Sequence, residues 1–387
     1  MRILYVIDSL GAAGAERSLA AMAPQYALRG LRLDVAYLHD RPGLQAELRA
    51  AGAELFCLAG RGGRLGWARR AAQLIAARQP DLVHTTLFEA DLAGRVGAGL
   101  ARVPVVSSLV NVPYGAEHAA APGLRRWKLR GAQLLDAASA RRVVRFHANT
   151  RFIADMMSPR LHVPRSRIEV IPRGRDPAVL GRRDPGRRAR ARAALGIADG
   201  APLLLAVARH EHQKGLDVLV EALPGVLAQV ADARLLVAGR QGNQTPRLHA
   251  AVARLGLERA VGWLGARDDV AELLCAADAV VIPSRWEGLS NILIEAMALE
   301  APVVASDLPT LHDAASDGDT ATLVPPGDPR PLAAAVVATL ADPAGAAART
   351  ARARQRFLER FTIDRVVDQM AAFYGRALAT PGAAAPP

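Results

Sequence analysis

The stretch AVVIPSRWEGLSNILIEAMALEAPVVAS, residues 279–306, reads as strand, turn, helix and strand in 28 positions. Residues 279–283 and 303–306 are short apolar runs rich in Val and Ile. Such uninterrupted runs suit strands covered on both faces, as in a parallel sheet. Gly288 breaks the turn, Ser290 or Asn291 can cap the helix, and residues 291–299 carry its apolar spacing. Working outward, the same unit recurs. Upstream strand candidates are 203–208, 234–238 and 261–264, with helical candidates at 215–230, 245–255 and 270–276. The first half repeats the pattern: strands at 3–7, 33–37, 81–84, 103–107 and 168–171, with helices at 16–28 and 91–101. This alternation predicts an α/β chain with two doubly wound parallel sheets. Ligands of such sheets bind at the carboxyl ends of the strands, so a crevice between two such ends is expected. The Arg-, Pro-, Gly- and Asp-rich segment 173–199, with its run Arg187–Arg192, reads as the domain junction and the entry to the second half. Residues 330–378 are helical by composition.

The length of 387 residues agrees with two domains. Hydrophobic residues at 51% and charged residues at 22% exclude a disordered chain. Cys57 and Cys275 form neither a disulfide framework nor a metal-ligand spacing, so a reducing compartment is the default. No leader and no apolar run of spanning length is visible. The expected location is the cytoplasm, with attachment to the inner face of the membrane left open.

The net charge of +12 is unevenly spread. Residues 1–175 hold 26 Lys and Arg against 13 Asp and Glu, and the remainder holds 23 against 24. The excess is either a compositional habit or the mark of an anionic partner on the first half. No nucleic-acid-binding module accompanies it.

Five local features could carry chemistry. The loop around Gly11 and Gly14 joins a strand to a helix. It serves as a tight turn or as a close approach to a ligand, and its spacing does not match the dinucleotide fingerprint. Arg209 and Lys214, in VARHEHQKGLD just after a strand, suit a diphosphate. Lys214 is one of two lysines in the chain. Glu287 and Glu295 flank the turn and first helical residues Gly288, Leu289, Ser290 and Asn291. The N–H groups there suit a phosphate and the carboxylates suit sugar hydroxyls, while a two-carboxylate hydrolase is the competing reading. Asp317 and Asp319 form a D-x-D that reads as a turn. Finally, Arg125, Arg126, Trp127, Lys128 and Arg130, with Leu124, Leu134 and Leu135, form a basic apolar stripe. It is either an interfacial helix or core packing with a solvated face.

Together, VARHEHQKGLDVLVEAL (207–223), residues 263–307 and LVPPGDP (323–329) resemble glycosyltransferase family 4. Weaker echoes lie in PDLVHTTLFEADLAGR (80–95), RSRIEVIPRGRD (165–176) and ERFTIDRVVDQM (359–370). The resemblance implies a GT-B fold. Residues 1–175 would be a Rossmann-like acceptor domain and 176–360 a Rossmann-like nucleotide-sugar domain. Residues 361–378 would form a helix packing back on the first domain, with a disordered tail at 379–387. It further implies retaining hexose transfer from a UDP- or GDP-sugar to an envelope lipid or saccharide acceptor. No metal and no cofactor are expected, the nucleotide sugar being a co-substrate. By carry-over, Arg209 and Lys214 would hold the diphosphate, Glu287 the hexose and Glu295 the ribose. Gly14 would close over the donor, and the base would lie near Trp263, Leu264, Gly265 and Arg267. The family often carries a His after the strand near 105–109. Here Asn111 stands near that place, with His118 a few residues on. Ala208, Glu300 and Ala321 also depart from the smaller residues common there. A non-catalytic sugar-nucleotide-binding protein, a GT-B sugar phosphorylase and a dehydrogenase are the alternatives. The last is disfavoured because neither half opens with the dinucleotide fingerprint.

Overall fold

A computed structural model describes residues 1–11, 13–114, 126–198 and 200–380. The chain divides into two compact units: Met1–Gly174 together with the segment from Ile363 onward, and Arg175–Thr362.

The strands of the first unit are β1 (Arg2–Ser9), β2 (Arg32–His39), β3 (Glu54–Cys57), β4 (Leu82–Thr86), β5 (Val105–Leu109), β6 (Val143–Ala148) and β7 (Ile168–Val170). Its helices are α1 (Gly14–Leu28), α2 (Gln45–Ala50), α3 (Gly63–Arg78), α4 (Phe88–Ala101), α5 (Arg126–Ala140) and α6 (Arg151–Leu161). The sheet is parallel throughout, in the order β3-β2-β1-β4-β5-β6-β7. Its direction of winding reverses between β1 and β4, which is where a doubly wound sheet opens a crevice. The central strands β4 and β5 are buried along their whole length, as expected for strands covered on both faces.

The second unit contains α7 (Pro177–Leu180), α8 (Pro185–Ala194), β8 (Leu203–Val207), α9 (Leu216–Leu227), β9 (Arg234–Ala238), α10 (Thr245–Arg254), β10 (Val261–Gly265), α11 (Val270–Ala276), β11 (Ala279–Ile282), α12 (Asn291–Ala298), β12 (Val303–Ser306), β13 (Thr322–Val324), α13 (Pro329–Ala341) and α14 (Pro343–Arg360). Its parallel sheet runs β10-β9-β8-β11-β12-β13, with the reversal between β8 and β11.

The last helix, α15 (Ile363–Leu378), belongs to the first unit. It buries Ile363, Val366, Val367, Met370, Phe373, Tyr374 and Ala377, the i, i+3, i+4, i+7 face of one helix. Each large apolar side chain in this row contributes about 1.5–3 kcal/mol relative to exposure. Arg29, at the end of α1, ties the polar flank of α15 through Asp364 and Asp368. Ala379 and Thr380 continue this ordered end, because the Thr380 hydroxyl donates to the Arg376 carbonyl at 2.8 Å.

Three strands escape the apolar-run signal: β3, β6 and β13. β6 carries Arg145 and His147, and β3 and β13 are edge strands of four and three residues. The boundary between the units at Gly174 and Arg175 falls in the segment 173–199, read from sequence as the junction and the entry to the second half. Its basic run is packed: Arg187 forks onto Glu272, and Arg188 and Arg192 both hold Asp278. Those arginines fasten α8 to α11 and to the segment before β11.

Candidate functional site

In the second unit, two loops leave the carboxyl ends of the neighbouring strands β8 and β11. The first runs through Arg209 and a single 3-10 turn, His212–Lys214, into α9. It must contain glycine at 215, where φ is +62° and a Cβ would collide with the Pro283 carbonyl oxygen. The second runs from Pro283 to Ser290, whose hydroxyl caps α12 by accepting from Leu293 N–H. The loops are stitched together. Arg285 N–H donates to the Gln213 carbonyl, and the Gln213 amide donates to the Trp286 carbonyl at 3.0 Å. The Arg285 guanidinium forks onto Asp217 at 2.7 and 2.6 Å. Burial is the largest single influence and raises the Asp217 pKa, but the Arg285 hydrogen bonds, the Arg285 charge, a backbone N–H and His212 together outweigh it and hold the carboxyl below its ordinary value.

This stitching brings Lys214 to Glu287. The ammonium donates to Oε1 at 2.6 Å, and the Ser284 hydroxyl donates to the same oxygen at 2.7 Å. The Glu287 side chain is 8% exposed and that of Lys214 21%. Lys214 keeps further N–H donors beyond the one used here. Arg209 is exposed and has no side-chain ion pair among the described residues. Gly288 and Leu289 lie in the turn before the cap, and Asn291 opens α12, whose first N–H groups lack intrahelical acceptors.

Glu295 lies one turn into α12. Its Oε1 accepts from Arg175 Nε at 2.6 Å, with side chains only 15% and 9% exposed. Sequence reasoning missed Arg175, although it stands in the quoted IPRGRD. Its partner is 120 positions away, and no local pattern announces the contact.

The expected base-binding residues sit at the end of β10. Trp263 stacks on His249 at 4.8 Å and tilts against His210 at 5.1 Å. Burial, then the neighbouring His249, lowers the His210 pKa. Leu264 is half-buried, Gly265 is exposed, and Arg267 is engaged by Asp269 at 2.7 Å. The D-x-D forms a turn: Asp319 takes Arg352 and Arg356, and Asp317 accepts from Leu323 N–H.

In the first unit, Gly14 opens α1, and Asn111 is exposed just past β5. His118, Leu124 and Arg125 lie outside the described residues, and Arg126 begins α5. The stripe on α5 faces outward. Trp127 is 66% exposed, Leu134 69% and Leu135 51%, beside exposed Lys128 and Arg130. The packed face of α5 is Asp136, Ala137, Ser139 and Ala140 instead. Asp136 pairs with the fully buried Arg95 at 2.6 Å and accepts from the Tyr114 hydroxyl at 2.8 Å. The core-packing alternative for this stripe is therefore set aside.

Sequence reasoning also missed a buried hydrogen-bonded row across β4, β5 and β6 of the first unit. His147 Nε2 lies 2.7 Å from the Ile171 carbonyl, which only accepts, so Nε2 carries the proton. Nδ1 then accepts from the Ser108 hydroxyl at 2.9 Å. Ser108 in turn accepts from His84 Nε2 at 2.7 Å, and His84 Nδ1 accepts from the Tyr374 hydroxyl at 2.7 Å. Both imidazoles are neutral. Burial pushes the His147 pKa down to about 4, and burial with its neighbour His147 holds His84 well below the ordinary value.

Comparison with known proteins agrees with this architecture. Residues 12–179 match the family model Glycosyltransferase Family 4, and residues 201–342 match Glycosyl transferases group 1. The chain is 30% identical over 321 residues to D-inositol 3-phosphate glycosyltransferase of Mycolicibacterium vanbaalenii, covering 77% of this chain and 67% of that one. It is 40% identical over 133 residues to phosphatidyl-myo-inositol mannosyltransferase of Mycobacterium leprae, 34% of each chain. Among solved structures, Anabaena HepE in complex with UDP-glucose superposes with a TM-score of 0.86 at 24% identity, covering 97% of this chain and all of that one. With two parallel Rossmann-like sheets of matching topology and a relative spanning both halves, the chain belongs to glycosyltransferase family 4 and is a glycosyltransferase of the GT-B fold.

Proposed function

We propose that the protein moves a hexose from a UDP- or GDP-linked sugar to a lipid or saccharide acceptor of the cell envelope, with retention and without a metal ion. The observation that carries this reading is the Lys214–Glu287–Ser284 cluster at the reversal point of the second sheet, beside the first turn of α12. Arg209, Lys214 and the positive N-terminal end of α12 supply positive charge for a departing diphosphate. Oε1 of Glu287 is taken up by Lys214 and Ser284, which orients the carboxylate so that Oε2 accepts from a hexose hydroxyl. Glu295 accepts from a ribose hydroxyl.

In the transfer step, the bond from the anomeric carbon to the phosphate oxygen breaks, and its electron pair leaves with the diphosphate. The acceptor oxygen bonds to that carbon from the same face, and its proton passes to the departing phosphate oxygen. The UDP-glucose held by HepE and the lipid in the name of the mannosyltransferase relative make a UDP-sugar and a lipid-linked acceptor the first pair to test. The outward stripe of Trp127, Leu134 and Leu135 beside Lys128 and Arg130 supports a peripheral, anionic-membrane location on the cytoplasmic side.

The test is a panel of radiolabelled UDP-, GDP- and ADP-sugars offered with a lipid extract, alongside flotation with anionic vesicles. Transfer from one donor and salt-sensitive flotation are expected. No response to any nucleoside diphosphate overturns the donor reading. Flotation unchanged on replacing Lys128 and Arg130 by Gln overturns the membrane reading.

A further inference from the structure

A cavity of about 480 Å³ lies in the second unit at the amino ends of β8, β11 and β12, where Pro202, Asp278 and Pro302 immediately precede the strands. The Lys214–Glu287 cluster stands beyond the opposite, carboxyl ends of β8 and β11, so a strand's length of about 15 Å separates the two places. Among the described residues, the charged lining is three guanidiniums, Arg183, Arg188 and Arg192, against two carboxylates, Asp278 and Glu300. Asp278 is already spent. Its Oδ1 accepts from Arg188 at 2.6 Å, and its Oδ2 accepts from Arg192 at 3.1 Å and from the Leu203 N–H at 2.8 Å. Glu300 approaches Arg354 at 4.0 Å. Arg183 is different: among the described residues it donates only to backbone carbonyls, those of Glu300 and Ala277, each at 2.8 Å.

The Ala277 carbonyl also accepts from Arg188 at 3.2 Å, so two guanidiniums converge on one oxygen. Like charges this close repel. Burial, then the Arg188 charge, lowers the Arg183 pKa against the weaker opposing influences of Cys275, Asp278 and Glu300. The carbonyls just past α11 and α12 fix these side chains in place without neutralising them. Arg183 uses two of its five N–H donors, and Arg188 keeps its Nε–H. A guanidinium withdrawn from water without a counter-ion is costly, and an incoming oxyanion relieves both that cost and the repulsion. Pro202, Pro302, Leu340 and Pro343 supply an apolar wall. Room of this size takes an organic molecule and not only a bare ion. We propose that the cavity binds a small organic phosphate or carboxylate, its oxyanion received by Arg183 and Arg188 and its body laid against the apolar wall. This site is separate from the donor site and does not rest on the transfer reading above.

Isothermal titration calorimetry of the full chain compares phenyl phosphate, benzoate and phenol, which share one ring and differ in the oxyanion. Saturable binding of phenyl phosphate or benzoate is expected, with phenol weaker by roughly tenfold or more. The tighter of the two anions identifies the oxyanion as phosphate or carboxylate. Arg183→Gln should weaken that anion by roughly tenfold to a hundredfold, and Arg183→Lys, which keeps the charge, should lose less. Ala347→Trp fills the cavity from an exposed position on α14 and should abolish binding, so the proposal stays open to refutation even if Arg183→Gln does not fold. Lys214→Ala alters only the donor site and should leave this binding unchanged. Absence of saturable binding by both anions, phenol binding as tight as theirs, or parent-like binding in Ala347→Trp overturns the proposal. Loss of binding in Lys214→Ala also overturns it, because the anion would then sit at the donor site. Failure of sugar transfer sinks the transfer reading and leaves this site standing.

Discussion

The two reversal points have the same strand order and opposite chemistry. In the first unit, the crest between β1 and β4 leads to neutral imidazoles locked in one direction by the Ile171 carbonyl. In the second, the crest between β8 and β11 leads to an ammonium and a carboxylate in contact, with the exposed Arg209 on the same loop as Lys214. The difference lies in what the strand ends present. β4, β5 and β6 carry their polar side chains within the buried strands, where burial disfavours charge. Lys214 and Glu287 sit in loops beyond the strands, where partial solvation and mutual pairing retain it. A shared scaffold thus yields one neutral, pre-oriented surface and one ionic one.

The largest expected effect breaks the ionic side. Lys214→Ala should lower kcat/KM by about 10²–10³-fold, the scale of losing one charge-stabilising donor. It should also cost stability of about 1–3 kcal/mol, because Glu287 is left buried with Ser284 alone. Pairing it with Glu287→Gln should recover much of the stability and none of the turnover, measured by urea midpoints and initial rates. Full activity in Lys214→Ala would remove the ammonium from the chemistry.

Next comes the neutral side, read by pH. An unfolded His takes up a proton near its ordinary pKa of 6.5, whereas folded His147 does so only near 4. The unfolded state binds more protons between these values. Stability is therefore intact above pH 6.5 and is lost as pH falls toward 4, by up to about 3 kcal/mol. Asp8 works in the opposite sense. Burial, against the Ala90 N–H, lifts its pKa to about 6, so its contribution is present at low pH and is lost as pH rises through that value. The comparison of His147→Gln with the parent chain isolates the first effect, and the variant should show a flatter stability slope between pH 4 and 6.5. Identical slopes would mean that the imidazole does not stay neutral.

The smallest expected effect sharpens the ionic side. Arg175→Val frees Glu295, and nucleoside diphosphate affinity should fall about fivefold to tenfold. The corresponding 2′-deoxynucleoside diphosphate should lose less. Equal losses for both would make Arg175 a fold residue without influence on ribose.

Much of the fold was legible locally. Apolar runs of four or five residues, alternating with short turns and amphipathic helices, are patterns between near neighbours. The positions of Lys214, Glu287, Ser290 and Glu295 relative to their turns were legible for the same reason. The exposed side of the Trp127 stripe was not, since an amphipathic period names two faces without saying which one packs. Nor was the role of the basic run at 187–192, whose acceptors Glu272 and Asp278 lie far along the chain.

By itself, then, the sequence determined the α/β alternation, the two-unit organisation of the sheets and the family. These rest on residue spacing within single strand–turn–helix segments. Tertiary structure alone decided that Lys214 meets Glu287 across 73 positions and that Arg175 meets Glu295 across 120. It also decided that three strands align His84, Ser108 and His147 into one row. Each of these contacts depends on packing between segments remote in sequence. Parallel strand neighbours are joined by crossovers, so which loops meet is set by sheet order and not by the chain's own succession.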